Sequence, residues 1–288
     1  MIREGRLYLI SPGAKSVLYL VYRVLKEGGN TLLEIVNLDQ ELGKKDWKAR
    51  QSAYRQRLYD LEKAAFDTGM PTVIIFEGWD AAGKGTCVQT LTSRLDPRGF
   101  TVWPIRAART SEQKRPWLWR FWNKLPNYGH MAIFDRSWYG RATVERVELG
   151  LPEREWMRAY TDIVDFERLI TVDGYVIIKF FLHISKKEQA RRFRKIEKDP
   201  LESWRLLDED RERHKHYDEW WQVYEEMLER TDTSFGPWTL VEATNRWFML
   251  DKVYRTLIAA MEARLGELNA VPPVISEAEA QGEENNGR

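Results

Sequence analysis

Residues 72–86 read TVIIFEGWDAAGKGT: an apolar, β-branched run, a glycine-rich loop, then a lysine opening a helical pattern. Gly78, Gly83 and Lys84 stand at the spacing G-x-x-x-x-G-K, the layout of a phosphate-binding loop. The residue types follow from the task. Glycines let backbone N–H groups turn inward and approach a phosphate chain without a Cβ in the way. The helix N-terminus adds a favourable dipole, and a lysine adds a point charge. The short string alone is weak evidence, but a strand before it and a helix after it supply the context the motif needs. A chain built around this unit is expected to be α/β, with the loop at the carboxyl end of a core strand.

The loop departs from the nucleoside-triphosphatase pattern. Gly85 follows Lys84 where a Ser or Thr hydroxyl normally reaches magnesium; Thr86 comes one place later, and Asp80 lies inside the loop. A carboxylate beside bound phosphates is repelled unless a cation sits between them. Asp80 is therefore expected to help hold magnesium, replacing the missing hydroxyl. The plainer alternative is a turn residue bonded to its own backbone.

A second cluster begins at Met131–Asp135 (MAIFD), an apolar run ending in a carboxylate, followed by Arg136-Ser137-Trp138-Tyr139-Gly140-Arg141. An aspartate at the carboxyl end of a core strand faces ligands in an α/β sheet, and here Asp135 is the natural second magnesium carboxylate. Arg136 and Arg141 offer planar forks suited to phosphate oxygens. Standing alone, the segment reads equally well as a strand end with solvated arginines; beside the loop, the catalytic reading prevails.

The net charge of +1 gives no global field for nucleic acid, and cations are clustered locally instead, as suits a small polyanion. Cys87 is the only cysteine, and there is no cleavable signal pattern or apolar stretch of spanning length. These features point to a reducing cytoplasm and no membrane. Most of the thirteen tryptophans are expected in the core or at interfaces, with one available to stack on a base.

Residues 1–30 carry an apolar stretch (SVLYLVYRVL) ending at Gly28-Gly29 and read as an N-terminal extension of no assignable role, or as upstream translation of the true start. Residues 31–266 read as a single domain. Apolar spacing predicts a helix over Trp47–Ala65 and strands over Thr72–Glu77, Thr101–Ile105, Met131–Asp135, Tyr175–Leu182 and Trp238–Glu242. Helices are predicted over Lys84–Leu95, Ser111–Trp122, Arg154–Ile170, Lys186–Lys195, Ser203–Thr231 and Arg246–Leu265. Alternation of strands and helices implies a five-stranded parallel sheet covered on both faces. Residues 267–288, with Pro272-Pro273 and several glutamates, lack periodicity and read as a disordered tail. Residues 186–215 interleave many cations with carboxylates. Most of these are expected to be solvated i,i+4 pairs, yet a basic helical hairpin broken at Asp199-Pro200 between two core strands is also a plausible lid over the loop.

Laid out this way, the chain resembles the polyphosphate kinase 2 family over nearly all of 33–265. The likeness rests on EGWDAAGKG (77–85), LDPRG (95–99), LWRFW (118–122) with Leu125-Pro126, and FDRSWYGRATVERV (134–147). GYVIIKFFLHIS (174–185) and TDTSFGPWTLVEATNRW (231–247) extend it. It implies a phosphate-loop kinase fold, a three-layer sandwich similar to thymidylate kinase with a mobile helical lid. It also implies magnesium-dependent transfer of a phosphoryl group between inorganic polyphosphate and a nucleotide, with manganese as an alternative metal and a homo-oligomeric assembly.

Carried over by motif, Gly78, Ala81, Ala82, Gly83, Lys84, Gly85 and Thr86 grip phosphates, and Asp80 and Asp135 position the metal. Arg136, Arg141 and the lid arginines Arg191 and Arg194 neutralise charge, and Arg120 contacts substrate. Trp79 resembles the branch that phosphorylates AMP; the branch acting on nucleoside diphosphates more often has arginine there. The AMP-type branch is commonly a tandem of two domains, whereas this chain holds one, and Thr86 stands where many members have glycine. Two rivals share parts of the pattern: an ATP-dependent nucleoside monophosphate kinase and a non-catalytic phosphate binder. His130, His183, His214, His216 and Cys87 form no recognised zinc set.

Overall fold

The computed structural model of the protein describes residues 31–273; the expected extension at 1–30 and most of the expected tail lie outside them. Strands β1 (Thr72–Gly78), β2 (Phe100–Pro104), β3 (Met131–Asp135), β4 (Val176–His183) and β5 (Trp238–Glu242) form one parallel sheet in the order β2-β3-β1-β4-β5. β1 is buried along its whole length and β4 almost so. Strands covered on both faces lose solvent from either side, which is why they read as continuous apolar runs rather than alternating ones.

Five of the seven expected helices are present with shifted boundaries. α1 (Lys44–Thr68) leads into β1, α2 (Lys84–Thr92) follows the loop, α6 (Glu153–Val172) joins β3 to β4, and α10 (Arg246–Glu267) closes the domain. Between β2 and β3 lie only two short helices, α3 (Thr110–Gln113) and α4 (Trp119–Trp122). The predicted single helix there is broken by Pro116, which lacks an N–H and disfavours helix in its predecessor. α5 (Val144–Glu148) follows β3 after a 3₁₀ turn at Trp138–Arg141.

From β4 the chain runs through α7 (Lys186–Glu197), a 3₁₀ turn at Ser203–Arg205, α8 (Asp208–Lys215) and α9 (Tyr217–Thr231). The predicted continuous helix over 203–231 is thus three pieces. Asp210 accepts the Leu207 N–H at 2.9 Å and starts a fresh helix there. Residues 268–273 also continue in contact with the domain: Arg57 donates to the Pro272 carbonyl at 2.6 Å.

Right-handed crossovers fix the layers. The connection from β1 runs toward β2, and the one from β3 runs the other way to β4, so their helices cover opposite faces. α10 packs on α1, α2, β4 and β5; α6 packs on α9 and on β4. Because connections diverge on either side of β1, the carboxyl ends of β1 and β3 open a crevice, the place where sheets of this kind bind ligands.

Candidate active site

β1 ends in the loop. Gly78 has φ 125°, and a Cβ there would lie 2.3 Å from the Leu182 carbonyl oxygen, so no other residue fits without moving β4. Trp79 turns its indole inward rather than toward ligand. Its Nε1–H donates to His183 Nδ1 at 2.9 Å, and the ring stacks on Tyr217 at 3.9 Å between centroids. Burial pulls the His183 pKa down to about 4, so the ring is neutral and able to accept that bond. The loop is thereby tied to the end of β4 and to the start of α9.

Lys84 is buried at the first position of α2 and curls back, donating to the carbonyls of Gly78 at 2.8 Å and Trp79 at 3.0 Å. Burial, reinforced by the charge of Arg136, lowers its pKa; Asp80, Asp135 and Glu77 pull the other way. Asp80 is ion-paired to Arg136 at 2.6 Å and to Arg213 of α8 at 3.1 Å. Against the upward pull of burial, Arg136, Lys84 and Arg213 hold its carboxyl below the ordinary range.

Asp135 and Arg136 follow from the register of β3 on β1. Asp135 stands opposite Phe76, and the Arg136 N–H donates to the Phe76 carbonyl at 3.0 Å. Arg136 has φ 62°, a left-handed conformation uncommon for a side chain of this size, and it turns the guanidinium back over the loop onto Asp80. Ser137 donates to Glu77 at 2.8 Å across the two strand ends. Burial pushes the Glu77 carboxyl up.

The half-buried Asp135 carboxylate takes no hydrogen bond or ion pair from the described residues. No group of three or more His, Cys, Asp or Glu side chains able to enclose a metal occurs among them either. Magnesium does not need such a cage, since it is commonly held by one or two carboxylates with phosphates and waters completing the octahedron. The Asp135 carboxylate, unpaired among the described residues, together with the loop carboxylate Asp80 suits that mode once Asp80 gives up an arginine.

Over the loop lie α7 and α8. Gln189 donates to the Asp80 carbonyl at 3.1 Å and bonds His214 at 2.7 Å. Arg192 donates to the carbonyls of Ala81, Ala82, Ala243 and Thr244 at 2.6–3.0 Å. The expected lid contacts, Arg191 and Arg194, sit elsewhere: both are exposed, and Arg191 pairs with Glu188 on its own helix. Arg192 and Arg213 are the arginines of these helices that reach the loop, through its carbonyls and through Asp80. The pattern could have shown this for α7, because Gln189 and Phe193 mark the inward stripe and Arg192 lies three residues on from Gln189. For Arg213 the sequence offers no such signal, since α8 is almost wholly charged.

Two further expected residues have partners within the protein. Arg120 is buried and donates to the Arg106 carbonyl at 2.7 Å beside Glu112, bracing the β2–β3 connection. Arg141 is paired to Glu145 and Glu155. Gly85 and Thr86 lie on the first turn of α2, the former exposed.

Residues 41–268 match the family model described as polyphosphate kinase 2. The chain belongs to the polyphosphate kinase 2 family. It is 40% identical over 232 residues to the polyphosphate:AMP phosphotransferase of Pseudomonas aeruginosa, covering 81% of this chain and 47% of that one. It is 35% identical to the ADP-polyphosphate phosphotransferase 3 of Rhizobium meliloti, over 77% of this chain and 72% of that one. The crystal structure of polyphosphate kinase 2 from Arthrobacter aurescens superposes with a TM-score of 0.77 at 28% identity, covering 88% of this chain and 93% of the other. The chain thus spans about half the length of the Pseudomonas relative it matches.

Proposed function

We propose that this chain transfers the terminal phosphoryl group of inorganic polyphosphate to a nucleotide, converting AMP to ADP. The observation that carries this reading is the gathering of Lys84, Arg136, Asp80 and Asp135 at the ends of two adjacent strands, beneath a helical segment that places Arg192 and Arg213 against the same loop. Membership of the family and the names of its relatives support the donor.

In this reading an oxygen of the AMP phosphate attacks the terminal phosphorus of polyphosphate in line. The new P–O bond forms as the bridging bond breaks, and polyphosphate leaves one unit shorter. The nucleophile is already anionic, so no general base is required, and catalysis is positioning and charge neutralisation. Lys84 exchanges its loop carbonyls for phosphate oxygens. Arg136 turns from Asp80 to the transferring group. Asp80 and Asp135 hold magnesium (manganese serving as an alternative), which when bound supplies positive charge to the phosphate oxygens. α7 and α8 act as the lid and keep out water that would otherwise take the phosphoryl group. The same reading places a homo-oligomer in the cytoplasm; among the described residues no helix is long and apolar enough to cross a membrane.

Trp79 supports AMP as acceptor through its likeness to that branch. Its burial under the loop means that any preference acts through loop and lid packing rather than through contact with the base. The test is nucleotide analysis after incubation with long-chain polyphosphate and magnesium, giving AMP, GMP, ADP and GDP separately. ADP from AMP is the expected result. ATP formed only from ADP moves the chain to the diphosphate-using branch, and turnover only with ATP as donor overturns the reading.

A further inference from the structure

In the middle of β4, well below the crevice, Lys179 is fully buried and faces the fully buried Glu167 of α6 at 2.8 Å. The remaining donors of the ammonium go to the Tyr139 hydroxyl and the Thr231 carbonyl, both at 2.9 Å. Glu167 Oε1 in turn accepts from the Trp138 indole at 3.0 Å and from the Tyr139 hydroxyl. Gly236 lets the chain pass close over the pair: a Cβ there would stand 3.1 Å from Glu167 Oε2. Burial pulls the Lys179 pKa down, and the adjacent Glu167 carboxylate pulls it back up.

A buried ion pair is a poor way to stabilise a core, because desolvation of both charges offsets their attraction and an apolar pair of similar volume often serves as well. What the pair does that an apolar pair cannot is hold three hydrogen-bonding groups at fixed points. Two of those groups, Trp138 and Tyr139, stand directly after Ser137, which is itself fastened to Glu77. Three consecutive side chains are therefore pinned immediately after Arg136, the residue whose left-handed backbone aims its guanidinium at the loop.

We propose that Glu167 and Lys179 are positioning residues for phosphoryl transfer, acting through Trp138 and Tyr139 to hold the turn that aims Asp135 and Arg136. The inference rests on the proposed phosphotransferase function, and its test separates the two. Tyr139→Phe removes one link and leaves the ion pair in place. Glu167→Leu with Lys179→Met removes both charges together, and Lys179→Met alone strands a buried carboxylate. Each purified variant is compared with the wild type in Tm, in kcat and KM for AMP and polyphosphate, and in hydrogen exchange of the amides of 136–142.

Lys179→Met alone is expected to lose about 10 °C in Tm, and the double variant to recover most of it. Yet kcat of the double variant stays down by roughly 10- to 100-fold with both KM values within about twofold, since a small misplacement of reacting groups is enough for such a loss. Tyr139→Phe shows about a tenfold loss of kcat, and exchange at 136–142 speeds up in both variants. Recovery of kcat together with Tm in the double variant, or unchanged exchange at 136–142, overturns the positioning role. A wild type inactive with every acceptor overturns the phosphotransferase reading instead, while the exchange measurement still decides whether the pair holds the turn.

Discussion

Lys84 and Arg136, at the ends of β1 and β3, are held by backbone: one donates to two loop carbonyls, and the other is fixed by its amide on β1 and a left-handed φ. In α7 and α8 most cations are held by carboxylates one helical turn away, as in Arg191 with Glu188, Arg211 with Asp208 and Lys215 with Glu212. The two regions carry the same charge under different constraints. A sheet end sets position to a fraction of an ångström whatever the ionic conditions, whereas exposed helical pairs contribute little and exchange readily. In the proposed reaction the loop side would act on phosphate and the helices over it would open and close, with Arg192 and Arg213 as the residues that reach across.

The sharpest way to break this contrast is Asp135→Asn. Its carboxylate is unpaired among the described residues, so the change is expected to lower kcat by about 10³-fold or more and to leave Tm nearly unchanged; normal turnover would remove Asp135 from the site. Next, Arg192→Ala strips four carbonyls of their partner and is expected to reduce kcat/KM by roughly 10- to 100-fold. Arg191→Ala, one residue away, should stay within about twofold. Equal effects in a parallel assay would mean that the bonds of Arg192 to the loop carbonyls play no part in turnover.

Trp79→Phe keeps the stack on Tyr217 but loses the bond to His183, and should cost about 1 kcal/mol of stability, read by denaturant unfolding. No loss would show that the stack alone ties the loop to α9. The smallest effect sharpens the electrostatic side of the comparison. Asp80, surrounded by cations, is held low, whereas Glu62 lies buried with no cation paired to it among the described residues, and burial pushes its pKa up to about 7. Its folded value exceeds its unfolded value, so stability is highest below the unfolded pKa and declines as pH rises from there toward 7. Glu62→Gln is neutral throughout and should raise Tm by about 2–4 °C at pH 8 with almost no change at pH 4. An equal shift at both values would contradict the assignment.

What was legible in the chain is local. The strand–loop–helix unit at 72–92, the aspartate ending β3 and the alternation of strands and helices follow from periodicity and from positions that only certain residues can occupy. Gly78 is such a position, because β4 leaves no room for a Cβ. Interruptions at Pro116 and Leu207 were less visible, since a helical pattern persists through both while a single residue breaks it. Which arginines face the loop was hardly visible at all. Arg191 and Arg192 are equivalent as composition, yet about 100° of helix rotation sends one to solvent and the other to four carbonyls. Likewise nothing in the string of residues couples Lys179 to Glu167 and Tyr139; three separate elements must pack before their polar atoms meet. Sequence by itself determined the sheet, the loop and the carboxylate beside it, because backbone sterics and burial act over a few residues. Tertiary structure alone decided which charges converge, because convergence depends on how helix faces and strand registers meet across the fold.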